Sequence, residues 1–80
     1  MLADAQVELR VLILGGGGRE HALAWKLEQS PLVEHIYIAP GNGGTAGPKT
    51  SNVSLPTEDF GKLVDFAVKN EVRVALAPFT

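Results

Sequence analysis

Val11-Leu12-Ile13-Leu14-Gly15-Gly16-Gly17-Gly18-Arg19-Glu20-His21-Ala22-Leu23-Ala24-Trp25 is the stretch whose reading decides the fold. Four apolar, mostly branched residues in a row predict a buried strand, because a parallel strand covered on both faces shows a continuous run and not an alternation. Four glycines break that run. Arg19 to Gln29 then follows with helix-forming residues and no Gly or Pro. Strand, glycine turn and helix in that order set backbone N–H groups, at the positive end of a helix dipole, beside the carboxyl end of a strand. Such a turn is suited to an anion. A tight strand-to-helix turn whose glycines only permit close packing is the competing explanation.

The rest of the chain supplies a frame for this turn. Glu8 to Leu14 is the first predicted strand, and Met1 to Gln6 before it reads as a loose terminus. In the helix from Arg19 to Gln29, Ala22, Leu23, Lys26 and Leu27 make a partly apolar stripe. Ser30-Pro31 ends it, since Pro pushes the residue before it out of helical space. His35 to Ala39, β-branched and aromatic, is the second strand, stopped by Pro40-Gly41. Pro40 to Lys49 is glycine-rich and predicts a loop, with a short strand expected from Asn52 to Leu55. Thr57 is the expected N-cap of a second helix, with Glu58 and Asp59 complementing the dipole of its first turn. Phe60, Leu63, Val64 and Ala67 recur at i, i+3, i+4 and i+7 as its apolar stripe, and Lys69-Asn70 closes it. Arg73 to Ala77 is the last strand. Trp25 and Tyr37 are expected to be packing residues. The order β-α-β-β-α-β predicts an α/β domain: half of a doubly wound parallel sheet, crossovers right-handed, strand one central and the glycine turn at the switch point.

Composition narrows the function classes. Eighty residues make one small domain, expected to bury only about 60% of its unfolded surface. The apolar fraction of 45% is that of a globular chain. A net charge of −2 with no basic run argues against a nucleic-acid groove. There are no cysteines, so thiolate metal sites and disulfides are excluded, and His21 and His35 lack a ligand-like spacing with carboxylates. No apolar run approaches the roughly 18 residues of a membrane span. No secretory signal is evident either. A cytoplasmic protein without nucleic-acid or membrane partners is the expectation.

The two commonest ligands of a glycine turn fail on specific residues. A dinucleotide fingerprint needs G-x-G-x-x-G/A, and Gly15-x-Gly17 puts Glu20 at the third position, while Gly16-x-Gly18 puts His21 there. The acidic residue that would bind a ribose hydroxyl after strand two is replaced by Ile38-Ala39-Pro40-Gly41. A P-loop needs Gly-Lys-Ser/Thr, and here Arg19-Glu20 follows. What remains is a compact cradle with Arg19 beside it, and Arg suits bidentate phosphate contact. The second glycine-rich loop, Pro40-Gly41-Asn42-Gly43-Gly44-Thr45-Ala46-Gly47, leaves the same carboxyl edge. Two such loops side by side suit a sugar phosphate; a plain surface loop is the alternative. His21, one turn into the helix, fits either a polar ligand or a packing role.

Gly15-Gly16-Gly17-Gly18-Arg19-Glu20-His21-Ala22-Leu23-Ala24-Trp25-Lys26-Leu27, Ser30-Pro31 and Ala39-Pro40-Gly41-Asn42-Gly43-Gly44-Thr45-Ala46 together strongly resemble the start of the phosphoribosylamine–glycine ligase family. Asn52-Val53-Ser54 and the second helix look similar as well, so the resemblance covers roughly Arg10 to Ala77. It implies a Rossmann-like, pre-ATP-grasp domain of a purine-biosynthesis enzyme. That enzyme joins glycine to 5-phosphoribosylamine through a glycyl phosphate made from ATP with magnesium or manganese. In eukaryotes the family often forms one end of a multifunctional chain with phosphoribosylformylglycinamidine cyclo-ligase activity. The resemblance implies a phosphoribosylamine site on Gly16, Gly17, Gly18, Arg19, Glu20, His21, Pro40, Gly41, Asn42, Gly43, Gly44 and Thr45. It implies no catalytic residue or metal ligand within these 80 residues, and ATP-grasp domains elsewhere for ATP and metal to bind. Relatives run from the last strand into Gly-Pro-Glu, where this chain has Ala77-Pro78-Phe79-Thr80. The expectation is a piece of a longer ligase, inactive by itself; a phosphate-binding module or a structural fragment that binds nothing are the other readings.

Overall fold

The computed structural model describes residues 8–42 and 46–77. The expected features at Met1 to Gln6, at Gly43, Gly44 and Thr45 and at Pro78-Phe79-Thr80 lie outside the described residues. The elements are β1 (Leu9–Gly15), α1 (Gly18–Glu28), β2 (Val33–Pro40), β3 (Thr50–Asn52), α2 (Phe60–Lys69) and β4 (Val74–Leu76). They form one parallel sheet in the order β3-β2-β1-β4. The chain steps outward from β1 to β2 to β3, then crosses back to place β4 on the other side of β1. The reversal of strand order falls at β1, where the glycine turn begins, as the order of elements predicts.

Alternation along β1 divides the core in two. Val11 and Ile13 face α1 with Ala24, Val33, Ile36 and Ile38, and partly buried Leu27 and Leu76 complete that cluster. Leu12 faces the other way with Ala39 and Leu63, supported by Leu14, Tyr37, Val53, Leu55, Phe66 and Val72. Tyr37 packs as expected: its ring lies 4.7 Å from that of His35 and meets Phe66 edge-on at 5.0 Å, a geometry aromatic quadrupoles favour.

Several expectations are corrected. α1 turns Ala24 and Leu27 inward, not the stripe through Ala22 and Lys26, and Trp25 is left 61% exposed. It lies one residue, about 100° of helix, beyond the buried Ala24. β3 is Thr50–Asn52 and not Asn52 to Leu55. Its polar residues pair with Ile36, Tyr37 and Ile38, while Val53 and Leu55 leave the ladder to cover the α2-side core. The N-cap of α2 is Asp59, whose Oδ1 accepts from the Lys62 N–H at 3.1 Å, so neither Thr57 nor a first-turn role for Asp59 stands. The buried line of α2 runs through Leu63 and Phe66. Phe60, Val64 and Val68, at i, i+4 and i+8, form an outward apolar row. The amino ends of the strands carry an ionic cluster, in which the Arg10 guanidinium donates to Glu34 at 2.5 Å and to the Asn70 carbonyl at 3.0 Å.

Candidate functional site

The glycine turn is built from the end of β1 and the start of α1. Gly15 adopts φ +133°, which side-chain-bearing residues rarely reach, and a Cβ there would fall 2.7 Å from the Glu20 carboxyl. At Gly16 the obstacle is main chain: a Cβ would lie 2.6 Å from the Gly41 carbonyl oxygen. Gly17 is the extended N-cap of α1, and its N–H donates to Glu20 Oε1 at 2.7 Å. This is one half of a capping box, since glycine has no side chain to return the bond. Gly18 differs from all three. A Cβ added there meets nothing within 4 Å, so packing within the chain does not explain the glycine.

The second loop is tied to the first by main-chain contact. The Gly41 N–H donates to the Gly15 carbonyl at 3.0 Å, and the Asn42 amide donates to the Gly16 carbonyl. Asn52, at the end of β3, donates in turn to the Asn42 carbonyl at 2.6 Å. Pro40, Gly41 and Asn42 therefore stand over Gly15 and Gly16 at the carboxyl edge of the two central strands. Asn42 is among the expected site residues, whereas Asn52 stands in the sequence only as the start of an expected strand and within the resemblance. An Asn closing a short polar strand carries no distinguishing pattern; only the β2–β3 register puts it within reach.

α1 distributes the remaining residues to two sides. Arg19 and Glu20 join Leu23, Ile13, Leu14, Leu76 and Ala77 around a crevice of about 220 Å³ between α1 and the β1–β4 pair. Open α/β sheets place their ligands in the crevice at this switch point. His21 faces away from it. With Trp25, Glu28, Pro48 and Thr50 it lines a separate groove of about 190 Å³ beneath the return of the second loop. Of the residues expected to share one site, the structure brings Gly16 against Gly41 and Asn42, sets Arg19 and Glu20 in the crevice toward β4, and puts His21 in a different groove.

The return of the second loop is anchored below that groove. Buried Thr50 donates its hydroxyl to Glu28 Oε2 at 2.6 Å, and Lys49 Nζ donates to the Ser30 and Val33 carbonyls at 2.9 and 2.7 Å. No sequence signal announces this network, because its partners lie far apart along the chain.

Perturbed titrations lie at the opposite edge of the sheet. Hydrogen bonding from Arg10 and from Glu8 holds the Glu34 carboxyl below its ordinary value, and the same contact with Glu34 raises that of Glu8. Among the described residues no group of three His, Cys, Asp or Glu side chains could hold a metal ion. Nor is any described helix long and apolar enough to cross a membrane.

Comparison with known proteins agrees with the fold and with the two loops. Residues 9–78 match the family model described as "Phosphoribosylglycinamide synthetase, N domain". The chain is 49% identical over 69 residues to the phosphoribosylamine–glycine ligase of Allochromatium vinosum, covering 85% of this chain and 16% of that protein. It is 54% identical over 69 residues to the ligase of the same name from Vibrio parahaemolyticus, with the same coverage. It is also 53% identical over 74 residues to the bifunctional purine biosynthetic protein PUR2,5 of Pichia angusta, covering 86% of this chain and 9% of that one. The chain thus spans about a sixth or less of the length of these relatives. With the model matched across β1 to β4 and both glycine-rich loops inside the match, this chain belongs to the phosphoribosylglycinamide synthetase N-domain family.

Proposed function

We propose that this chain is the phosphoribosylamine-binding part of a phosphoribosylamine–glycine ligase of purine biosynthesis. That enzyme condenses 5-phosphoribosylamine with glycine at the expense of ATP. The observation that carries the reading is the crossing of the two glycine loops, Gly41 N–H on the Gly15 carbonyl, beside the open space at Gly18. A phosphate seated there meets the first-turn amides of α1 and the Arg19 side chain, the donors best suited to a dianion. The ribosyl part then extends under Pro40, Gly41 and Asn42. Glu20 stands at the rim of this seat, while His21 faces the other groove.

The described residues fit neither ATP nor its metal. The glycine turn lacks the Lys-Ser/Thr of a nucleotide-binding P-loop, and no described carboxylate cluster suits magnesium. In this reading glycine activation falls to the ATP-grasp domains of the same enzyme, and this domain holds and orients the amine substrate in the cytoplasm. The amine nitrogen attacks the activated glycyl carbonyl, phosphate leaves, and an amide forms.

The test is a thermal shift of the purified chain with ribose 5-phosphate, which carries the phosphate and sugar without the labile amine. At a hundredfold excess over the Kd, binding stabilises the folded state by about 2.7 kcal/mol, a rise of roughly 10 °C or more for a domain of this size. Arg19→Ala should weaken the effect. No shift at any ligand concentration overturns the reading in favour of a structural fragment that binds nothing. A shift accompanied by turnover of ATP would show that this chain alone is catalytic, contrary to the proposal.

A further inference from the structure

The Glu20 carboxylate occupies a place that an anionic ligand needs. Its Oε1 accepts the Gly17 N–H at 2.7 Å, the amide at the amino end of α1, and its carboxyl fills the space over Gly15 where a Cβ would stand. Glu20 is thus a negative group already drawn to the positive end of the helix. It also lines the crevice between α1 and the β1–β4 pair, alongside Arg19, Leu23, Leu76 and Ala77. The side chain therefore borders two places: the amide seat where it rests, and an adjoining crevice with an arginine in its wall.

We propose that Glu20 is a resident substitute for the ligand's phosphate, holding the glycine turn in its binding geometry and leaving the Gly17 amide when the phosphate enters. This rests on the phosphate reading above and assigns Glu20 a role opposite to that of an ordinary ligand contact. In the empty site the carboxylate satisfies a helix-terminal donor, so the turn is preorganised. On binding, phosphate takes that donor and Glu20 swings into the crevice toward Arg19. Two anions cannot share one amide, and their repulsion at about 4 Å in water corresponds to roughly a fivefold change in affinity.

The experiment is titration of the purified chain with sodium sulfate and, separately, with ribose 5-phosphate, following the Gly17 amide resonance by NMR. Glu20→Gln keeps the length of the side chain and an oxygen that can accept from Gly17, but removes the charge. The expected result is a Kd for both ligands lowered about fivefold in Glu20→Gln, with a ligand-induced shift of the Gly17 resonance in each protein. Glu20→Ala, which leaves the amide without a resident acceptor, should bind at least as tightly as the glutamine variant while melting at a lower temperature. Weaker ribose 5-phosphate binding by Glu20→Gln would mean that Glu20 contacts the ligand, and it overturns the inference while leaving the phosphate reading intact. Unchanged affinity in both variants overturns it equally. Absence of binding by every protein removes the phosphate reading, and this inference with it.

Discussion

Substituting alanine at Gly16 and, separately, at Gly18 should produce opposite outcomes. At Gly16 the new methyl would stand 2.6 Å from the Gly41 carbonyl oxygen, roughly 0.8 Å inside ordinary contact, and both atoms belong to main chain that cannot rotate away. Overpacking of that kind costs about 1–3 kcal/mol. Parting the loops also strains the Gly41 N–H to Gly15 bond, whose net contribution is about 1 kcal/mol. A loss of about 2–4 kcal/mol lowers the Tm of a domain this small by more than about 10 °C. At Gly18, the first residue of α1, the methyl meets nothing within 4 Å and the backbone is already helical. Replacing Gly by Ala in a helix gains up to about 1 kcal/mol, so Gly18→Ala should melt at the same temperature or a few degrees higher. The same methyl would project into the space assigned to the phosphate, and ribose 5-phosphate affinity should fall at least tenfold. Thermal melts with and without ligand separate the two effects. A Gly18→Ala chain that unfolds, or one that binds as tightly as wild type, refutes the claim that this glycine serves a ligand and not the fold.

Three further outcomes follow from the rest of the structure. Asp59→Ala should cost about 1 kcal/mol in chemical denaturation through loss of the α2 N-cap, whereas Thr57→Ala should change stability by less than about 0.5 kcal/mol. Thr50→Val, nearly isosteric and buried, removes the donor to Glu28 and should destabilise by about 1–3 kcal/mol, measurable by the same method. The Arg10 bond depresses the Glu34 pKa, so its stabilisation is complete above the unfolded-state value and is lost as the pH falls through the folded-state value. Glu8 opposes this: its raised pKa contributes stability at low pH that is lost as the pH rises. With the direct Arg10 bond dominant, wild type should exceed Glu34→Gln in Tm at neutral pH. That margin should shrink as the pH is taken below the usual carboxylate range.

How much of this was legible in the sequence depended on the kind of force involved. The β1 run from Val11 to Leu14 and the glycines behind it declare a buried central strand, because burial on both faces leaves no polar position. β3 lies earlier in the chain than its expected place because an edge strand needs few apolar residues; Thr50-Ser51-Asn52 pairs through its backbone, which composition does not reveal. The rotation of α1 differs from the expected one because Ala22, Leu23, Lys26 and Leu27 do not define a single clear stripe, and packing against Val11 and Ile13 selects Ala24 instead. In the site, the adjacency of the two loops followed from topology. The separation of His21 from Arg19 did not, since two residues of helix turn a side chain through about 200° and only the packed orientation of α1 decides which crevice receives it.

The bond from the Gly41 N–H to the Gly15 carbonyl has a consequence for how this site can vary. Both partners are peptide groups, present whatever side chains surround them, so single substitutions elsewhere in the loops cannot delete the bond by removing a functional group. The span between the two walls is thereby insulated from drift in its lining. Residues facing the ligand are free to be exchanged for new specificity while the frame that holds them keeps its dimensions. The weak points are the positions where a side chain would force the two main chains apart, and in this chain Gly16 is the clearest of them.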